Sequence, residues 1–174
     1  MALRIAVVGT SCSGKTTLAR RISARRDIPH IELDSIYWQA NWTPLPVDEF
    51  RAAVAVEADR DEWVIDGNYK SVRDIIWQCA TDVVWLNLPF LTVLSRAVSR
   101  TVRRVATQEE LFNGNRERPV EALFSRDSII WWVLRTHHGR TQRYRKLLQD
   151  GLPTGLNVHE VRCDVDVDLT LSDL

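Results

Sequence analysis

Leu3-Arg4-Ile5-Ala6-Val7-Val8-Gly9-Thr10-Ser11-Cys12-Ser13-Gly14-Lys15-Thr16-Thr17 runs from an apolar segment through a glycine-bounded turn into a lysine and two threonines. Positions 9 to 16 have the spacing G-x-x-x-x-G-K-[ST]. Gly9 and Gly14 allow positive φ and close backbone approach, so the amides of Thr10, Ser11, Cys12 and Ser13 can converge on an anion. Lys15 is a point charge for terminal phosphates, the Thr16 hydroxyl can ligate Mg²⁺, and Thr17 follows on the same helical turn. From Lys15 to Arg26, Leu18 and Ile22 lie four apart on one face, which predicts an amphipathic helix. Phosphates would then sit at a helix N-terminus, where free amides and the helix dipole favour anions. By chance, roughly one chain of this length in a hundred carries the four fixed residues. A strand before them and a helix after them make nucleoside triphosphate binding the leading expectation.

The 174 residues, 45% hydrophobic and 26% charged, are ordinary for a globular chain and predict a single domain spanning 1–174. No linker, repeat, signal peptide or membrane-length apolar run is visible, so the expected location is cytoplasmic. Cys12, Cys79 and Cys163 show no C-x-x-C pairing, which argues against a disulfide framework or a zinc site. Cys12, inside an amide-rich anion site, is either a small residue that fits the loop, the favoured reading, or a thiol that the site could activate. Net charge is zero but uneven: residues 27 to 95 carry twelve acidic and four basic side chains, and 96 to 146 five acidic and twelve basic. That asymmetry points to anion handling in one sub-region, not to nucleic-acid coating.

Short apolar runs at Ile5–Val8, Ile28–Leu33, Trp63–Ile65, Val83–Leu88 and Val158–Val161 predict five buried strands. Helical patterns fall between them at Lys15–Arg26, Val47–Asp59, Lys70–Ala80 and Phe90–Val105. Such alternation predicts a parallel sheet covered on both faces, an α/β fold. Thr107–Arg118, with Asn113-Gly114-Asn115, reads as a mobile surface loop. Ser125–Gln149 reads as a long helix that His137-His138-Gly139 is expected to kink or interrupt.

In open parallel sheets the ligand lies past the carboxyl ends of the strands. There the sequence puts Asp34 after Leu33, and Asp66-Gly67-Asn68 after Ile65. A carboxylate in that position can hold Mg²⁺, directly or through water, or take a proton from a hydroxyl acceptor. Arg96, Arg100 and Arg104 form one stripe on the helix after the fourth strand, with Arg103 beside them. Arg116, Arg118 and Arg126 flank the irregular segment. Guanidinium groups so spaced can clamp phosphate oxygens and balance charge on a transferring phosphoryl group. Tyr37, Trp38 and Trp42 form a proline-bounded aromatic stretch that can wall a substrate pocket or pack locally.

With these residues identified, the chain resembles the nucleoside monophosphate and shikimate kinase-like group of P-loop proteins. More closely it is similar to small bacterial adenylate kinase-related proteins, also called DNA topology modulation proteins. The matching motifs are Gly9–Thr16, Leu33-Asp34, Tyr37-Trp38, Trp42 and Ile65-Asp66-Gly67-Asn68-Tyr69. The resemblance implies a three-layer α/β/α P-loop NTPase fold with a five-stranded parallel sheet and a short lid over roughly 106–125, with Thr107–Arg118 at its centre. It also implies that Asp66-Gly67 organises Mg²⁺ and its waters, and that Arg96 and Arg100 contact phosphates. Asn68-Tyr69-Lys70 departs from the Phe-Pro-Arg that follows Asp-Gly in adenylate kinases, so an AMP-phosphate contact there is not supported.

The expected activity is Mg²⁺-dependent transfer of the ATP γ-phosphoryl group to a small acceptor, a nucleotide or a hydroxyl compound. Lys15, Asp34, Asp66, Arg96 and Arg100 are the catalytic candidates. Gly9 to Thr17 and Arg104 would bind nucleotide; Asp34, Tyr37, Trp38, Trp42, Gly67 and Asn68 would bind acceptor; Thr16 and Asp66 would hold metal. If the acceptor is a hydroxyl, Asp34 is the candidate base; a phosphate acceptor needs none. Lack of an N-K-x-D motif favours ATP over GTP. A competing expectation is a nucleotide-dependent regulatory or DNA-associated protein with weak ATPase activity, for which the Arg135–Lys146 stretch leaves room although no DNA-binding motif is present.

Overall fold

A computed structural model describes residues 2–107, 110–115, 128–150, 153 and 155–174. Five strands, β1 (Arg4–Gly9), β2 (His30–Glu32), β5 (Trp63–Asp66), β6 (Asp82–Leu86) and β7 (Asn157–Val161), form one sheet in the order β2-β5-β1-β6-β7. Every pairing in it is parallel. The helices are α1 (Lys15–Arg26), α2 (Leu33–Tyr37), α3 (Val47–Ala58), α4 (Arg73–Cys79), α5 (Phe90–Thr107), α6 (Ile129–Asp150) and α7 (Asp164–Asp173). A small antiparallel pair, β3 (Trp38–Gln39) and β4 (Thr43–Pro44), branches off after α2.

Strand side chains alternate between two faces, and the core divides accordingly. Ala6 and Val8 of β1, Trp63 and Ile65 of β5, and Val83 and Trp85 of β6 pack in one cluster with Phe50, Val54, Ile76 and Tyr144. Ile5 and Val7, Val64, and Val84 and Leu86 pack in the other with Leu18, Ala19 and Ile22 of α1. Both faces of the sheet are therefore covered, which makes the fold a three-layer α/β/α structure of the kind predicted. A third cluster joins Cys12, Leu88, Val93 and Ala97 to Val133 of α6.

The same alternation positions the chemistry. Ile31 faces the first cluster, so its neighbours His30 and Glu32 face α1; Val64 faces α1, so Asp66 does too. Register sets Val7, Asp66 and Glu32 side by side at the carboxyl end of the sheet. Thr16, in the first turn of α1, meets them there.

Several elements differ from the sequence reading. The second strand stops at Glu32 instead of Leu33, because Leu33, 1% exposed, turns inward to open α2. The kink expected at His137-His138-Gly139 is absent: α6 runs unbroken through all three. A mid-helix glycine costs only about 1 kcal/mol, and α6 is anchored on both sides of it by buried Val133 and Tyr144. Helix α7 and the β3–β4 pair were not foreseen. Residues 162–174 alternate polar and apolar as a strand would, yet Asp166 Oδ2 accepts the amides of Arg162 at 2.7 Å and Cys163 at 3.1 Å and starts a helix. Most of the proposed lid, including Arg116 and Arg118, lies outside the described residues, as does Arg126. No helix among the described residues is long and apolar enough to cross a membrane.

Candidate active site

The loop Gly9–Thr16 leaves β1 and closes onto α1 through a turn in which Ser13 N donates to Thr10 O at 3.2 Å. Gly9, at φ 154°, has no room for a side chain: a Cβ would lie 2.8 Å from Leu86 Cβ, Leu86 O and Ser13 Oγ. Asn68 grips its peptide on both edges, donating from Nδ2 to Gly9 O and accepting Gly9 N–H at Oδ1, 3.3 Å away. Tyr144 of α6 donates to the same Oδ1 at 2.8 Å.

Beside the loop opens a cleft of about 830 Å³. One wall is the loop and α1, through Ser11, Cys12, Gly14 to Thr17 and Arg20; the opposite wall is α5, through Arg96, Ser99, Arg100, Arg103 and Arg104. Glu32, Asp34 and Asp66 close the sheet end, and Glu110, Leu111 and Phe112 border the far side. Lys15, Thr16, Asp34, Asp66 and the arginine stripe, widely spread in sequence, thus converge on one space. Arg96 donates to Ser13 O at 2.9 Å, and Arg100 lies 4.0 Å from Cys12 Sγ, so both brace the loop from α5.

Lys15 Nζ donates to Thr10 O at 3.1 Å. Burial pulls its ammonium below the usual lysine value, and the charges of Asp66 and Asp34 oppose that. Thr16 Oγ1 lies 3.1 Å from Glu32 Oε1 and 3.3 Å from Asp66 Oδ1. The other oxygen of Asp66 is 2.7 Å from His30 Nε2. Asp66 is thereby held at both oxygens while only 3% exposed. Burial first, then the charge of Asp66, pushes the Glu32 carboxyl above its ordinary value, while Thr16 and Arg20 pull it back. Among the described residues no three His, Cys, Asp or Glu side chains group closely enough to hold a metal unaided.

Asp34 does not end a strand as expected; it stands in the first turn of α2 and reaches the cleft from there. Its Oδ1 accepts the Tyr69 hydroxyl at 2.5 Å. Burial and the negative charge of Asp34 push the Tyr69 phenol far above its usual value, so it remains a donor.

Other expected acceptor contacts do not line the cleft. Tyr37 packs on Phe50, Tyr69 and Trp38 at ring separations of 5.1, 4.6 and 4.9 Å, and Trp38 on Trp42 at 5.7 Å. None of the three borders the cleft among its lining residues. Gly67, at φ 145°, allows Leu33 to pack against it, since a Cβ would fall 2.7 Å from Leu33 Cβ. Asn68 is occupied with Gly9.

The Asn113-Gly114-Asn115 turn, read as mobile, is docked. Asn115, 5% exposed, donates from Nδ2 to Gln39 O at 2.9 Å and to Phe112 O at 2.7 Å, and its Oδ1 accepts Trp42 N–H at 2.8 Å. Asn113 Nδ2 donates to Trp38 O at 2.5 Å. The segment after α5 and the aromatic stretch after α2 are thus clipped together at the cleft edge. The Arg135–Lys146 stretch is not a uniformly solvated basic face: Arg135 stacks over Trp131 at 5.6 Å, Arg140 over Trp132 at 5.1 Å, and Tyr144 is buried.

Sequence reasoning missed Glu32, His30, Tyr69 and the two clamping asparagines. Glu32 was hidden by the misplaced strand end, although period-two alternation puts it on the face of Asp66.

No family model matches the sequence, and no curated protein matches it. Solved structures do match in fold. Shikimate kinase from Bacteroides thetaiotaomicron superposes with a TM-score of 0.59 at 13% identity, over 98% of this chain and 95% of that one. A gluconokinase from Sinorhizobium meliloti 1021 gives 0.56 at 18% identity, over 99% and 93%. A sugar kinase from Janibacter gives 0.53 at 16%, over 99% and 94%.

Proposed function

The chain has the fold of P-loop kinases, and from that premise we propose that it is an ATP-dependent phosphotransferase acting on a small hydroxyl compound. The whole chain, 1–174, works as one catalytic unit. Its motifs Leu33-Asp34, Tyr37-Trp38 and Ile65–Tyr69 support placement in the adenylate kinase-related group. The observation that carries the reading is the cleft itself. Lys15 and the α5 arginines supply positive charge on two sides, and Asp34 stands at the sheet end, where its second oxygen makes no hydrogen bond among the described residues.

The loop amides and the start of α1 would hold the β- and γ-phosphates. Lys15, Arg96, Arg100 and Arg104 would balance the charge that spreads over the phosphoryl oxygens during transfer. Thr16 Oγ1 with the Asp66 and Glu32 carboxylates offers only hard oxygen donors beside the phosphate loop, a set that fits Mg²⁺. Held by Thr16 and Asp66, that ion would neutralise the nucleotide's phosphate charge. His30 fixes the orientation of Asp66.

A hydroxyl acceptor is favoured over a phosphate one by Asp34: a carboxylate beside the transfer path repels an incoming phosphate but accepts a proton from an alcohol. Tyr37, Trp38 and Trp42 pack against one another and do not line the cleft, which favours the local-packing reading of that stretch over an acceptor wall. The test is ADP formation from MgATP with and without polyols, sugar acids, nucleosides and nucleoside monophosphates, with Lys15→Ala as control. Stimulation by a hydroxyl compound, lost in Lys15→Ala, is expected. Stimulation by nucleoside monophosphates alone, or hydrolysis that no compound accelerates, would overturn the reading.

A further inference from the structure

Tyr69 follows Asp66-Gly67-Asn68 without lining the cleft, yet its hydroxyl makes a 2.5 Å hydrogen bond to a residue that does. We infer that Tyr69 is a positioning residue that fixes the Asp34 carboxylate for proton transfer from the acceptor, an inference that rests on the phosphotransferase reading above.

The phenol is held on its own account. Its ring packs 4.6 Å from Tyr37 and 5.0 Å from Phe50, which is fully buried. Were Tyr69 needed only to fill this aromatic cluster, phenylalanine would serve without the cost of burying a hydroxyl. The hydroxyl therefore needs a reason: its oxygen accepts from the Trp38 side chain, and the group its proton meets is Asp34. An Asp carboxylate turns in a broad, two-fold torsional well, and the charge of Lys15 acts on Asp34 across the same cleft. Unrestrained, the carboxylate would be drawn toward the ammonium. A short O–H···O⁻ bond is among the stronger ones available. With Oδ1 engaged, Oδ2 is the oxygen left for the cleft.

The step then balances simply. The acceptor hydroxyl gives its proton to Asp34 Oδ2 as its oxygen forms a bond to the γ-phosphorus. The bond from that phosphorus to the β,γ-bridging oxygen breaks, and the electron pair leaves on ADP. Tyr69 keeps its proton throughout.

Tyr69→Phe removes the hydroxyl and preserves the ring, so the cluster stays filled. The experiment measures kcat and the KM for MgATP in wild type, Tyr69→Phe, Asp34→Asn and the double variant, using the stimulating hydroxyl compound and, in parallel, water, the smallest hydroxyl acceptor. Tyr69→Phe should lower kcat by about ten- to hundredfold with the KM for MgATP unchanged, and should have no further effect once Asp34 is Asn. A Tyr69→Phe loss that persists undiminished in the Asp34→Asn background marks a structural role and overturns the inference. So does a normal kcat in Tyr69→Phe beside a crippled Asp34→Asn, an outcome that leaves the parent reading standing. Turnover untouched by Asp34→Asn, or a wild type that transfers to neither compound nor water, fails the parent reading and the inference together.

Discussion

Replacing Asn115 by alanine should release the clip between the segment after α5 and the stretch after α2 without unfolding the sheet. Three hydrogen bonds are lost: to Gln39 O, from Trp42 N and to Phe112 O, at 2.9, 2.8 and 2.7 Å. At a net 0.5–1.5 kcal/mol each they would sum to about 1.5–4.5 kcal/mol. Water reaches the freed groups once the edge opens, so the lower half of that range applies, about 1.5–3 kcal/mol. Because 1.4 kcal/mol is a factor of ten, local opening should become roughly ten- to a hundredfold more frequent. Trp42 N–H reports this directly, since its acceptor is the deleted oxygen. Trp42 also has φ 54°, a left-handed conformation that a bulky residue keeps only while something holds it. Amide hydrogen exchange at Trp42 should accelerate by that factor, with core amides such as Val64 unchanged. Trp42 exchange within about threefold of wild type, on the scale where 1.4 kcal/mol is tenfold, would refute the claim that Asn115 holds the two segments together.

Other expectations are as direct. Lys15→Met should abolish nucleotide-dependent thermal stabilisation yet raise the melting temperature of the free protein near neutral pH. Burial disfavours the lysine's charge in the folded state, so its contribution to stability grows only as pH rises through its lowered folded value; melting curves with and without MgATP measure both effects. Glu32→Gln should stabilise the free protein near neutrality and lose that advantage below the ordinary carboxylate value of 4.5. A raised folded pKa gives stability that is present below the unfolded value and lost as pH climbs through the folded one, so melting temperature across that window tests the sign. Gly67→Ala should destabilise by about 2–5 kcal/mol, from a positive φ and overpacking against Leu33, 2.7 Å from the added carbon; urea denaturation measures it.

Much of this arrangement was legible before any coordinates. Apolar runs of three to six residues between helical patterns pointed to the parallel sheet, and α1 ran over Lys15–Arg26 as its spacing predicted. Lys15, Thr16, Asp66 and the Arg96-Arg100-Arg104 stripe could be proposed as neighbours because strand ends and loop geometry bring such positions to one edge. What stayed hidden depends on partners distant in sequence. Tyr69 acquires its bond only because α2 turns Asp34 toward it. Asn115 looks like a turn residue until Gln39 and Trp42, more than seventy positions away, present their backbone to it. The kink at Gly139 failed for a related reason: local propensity was outweighed by anchors on either side of it.

That unbroken helix acts as a lever. Its 22 residues make a rod about 33 Å long at 1.5 Å per residue. Near one end Ile129 borders the cleft; four turns on, Tyr144 holds Asn68, which in turn holds Gly9 at the root of the phosphate loop. A rod with a hinge at Gly139 would absorb a push at the cleft mouth within itself. Without one, tilting the Ile129 end displaces the far end as well, and the pull arrives at the peptide that sets the height of the loop.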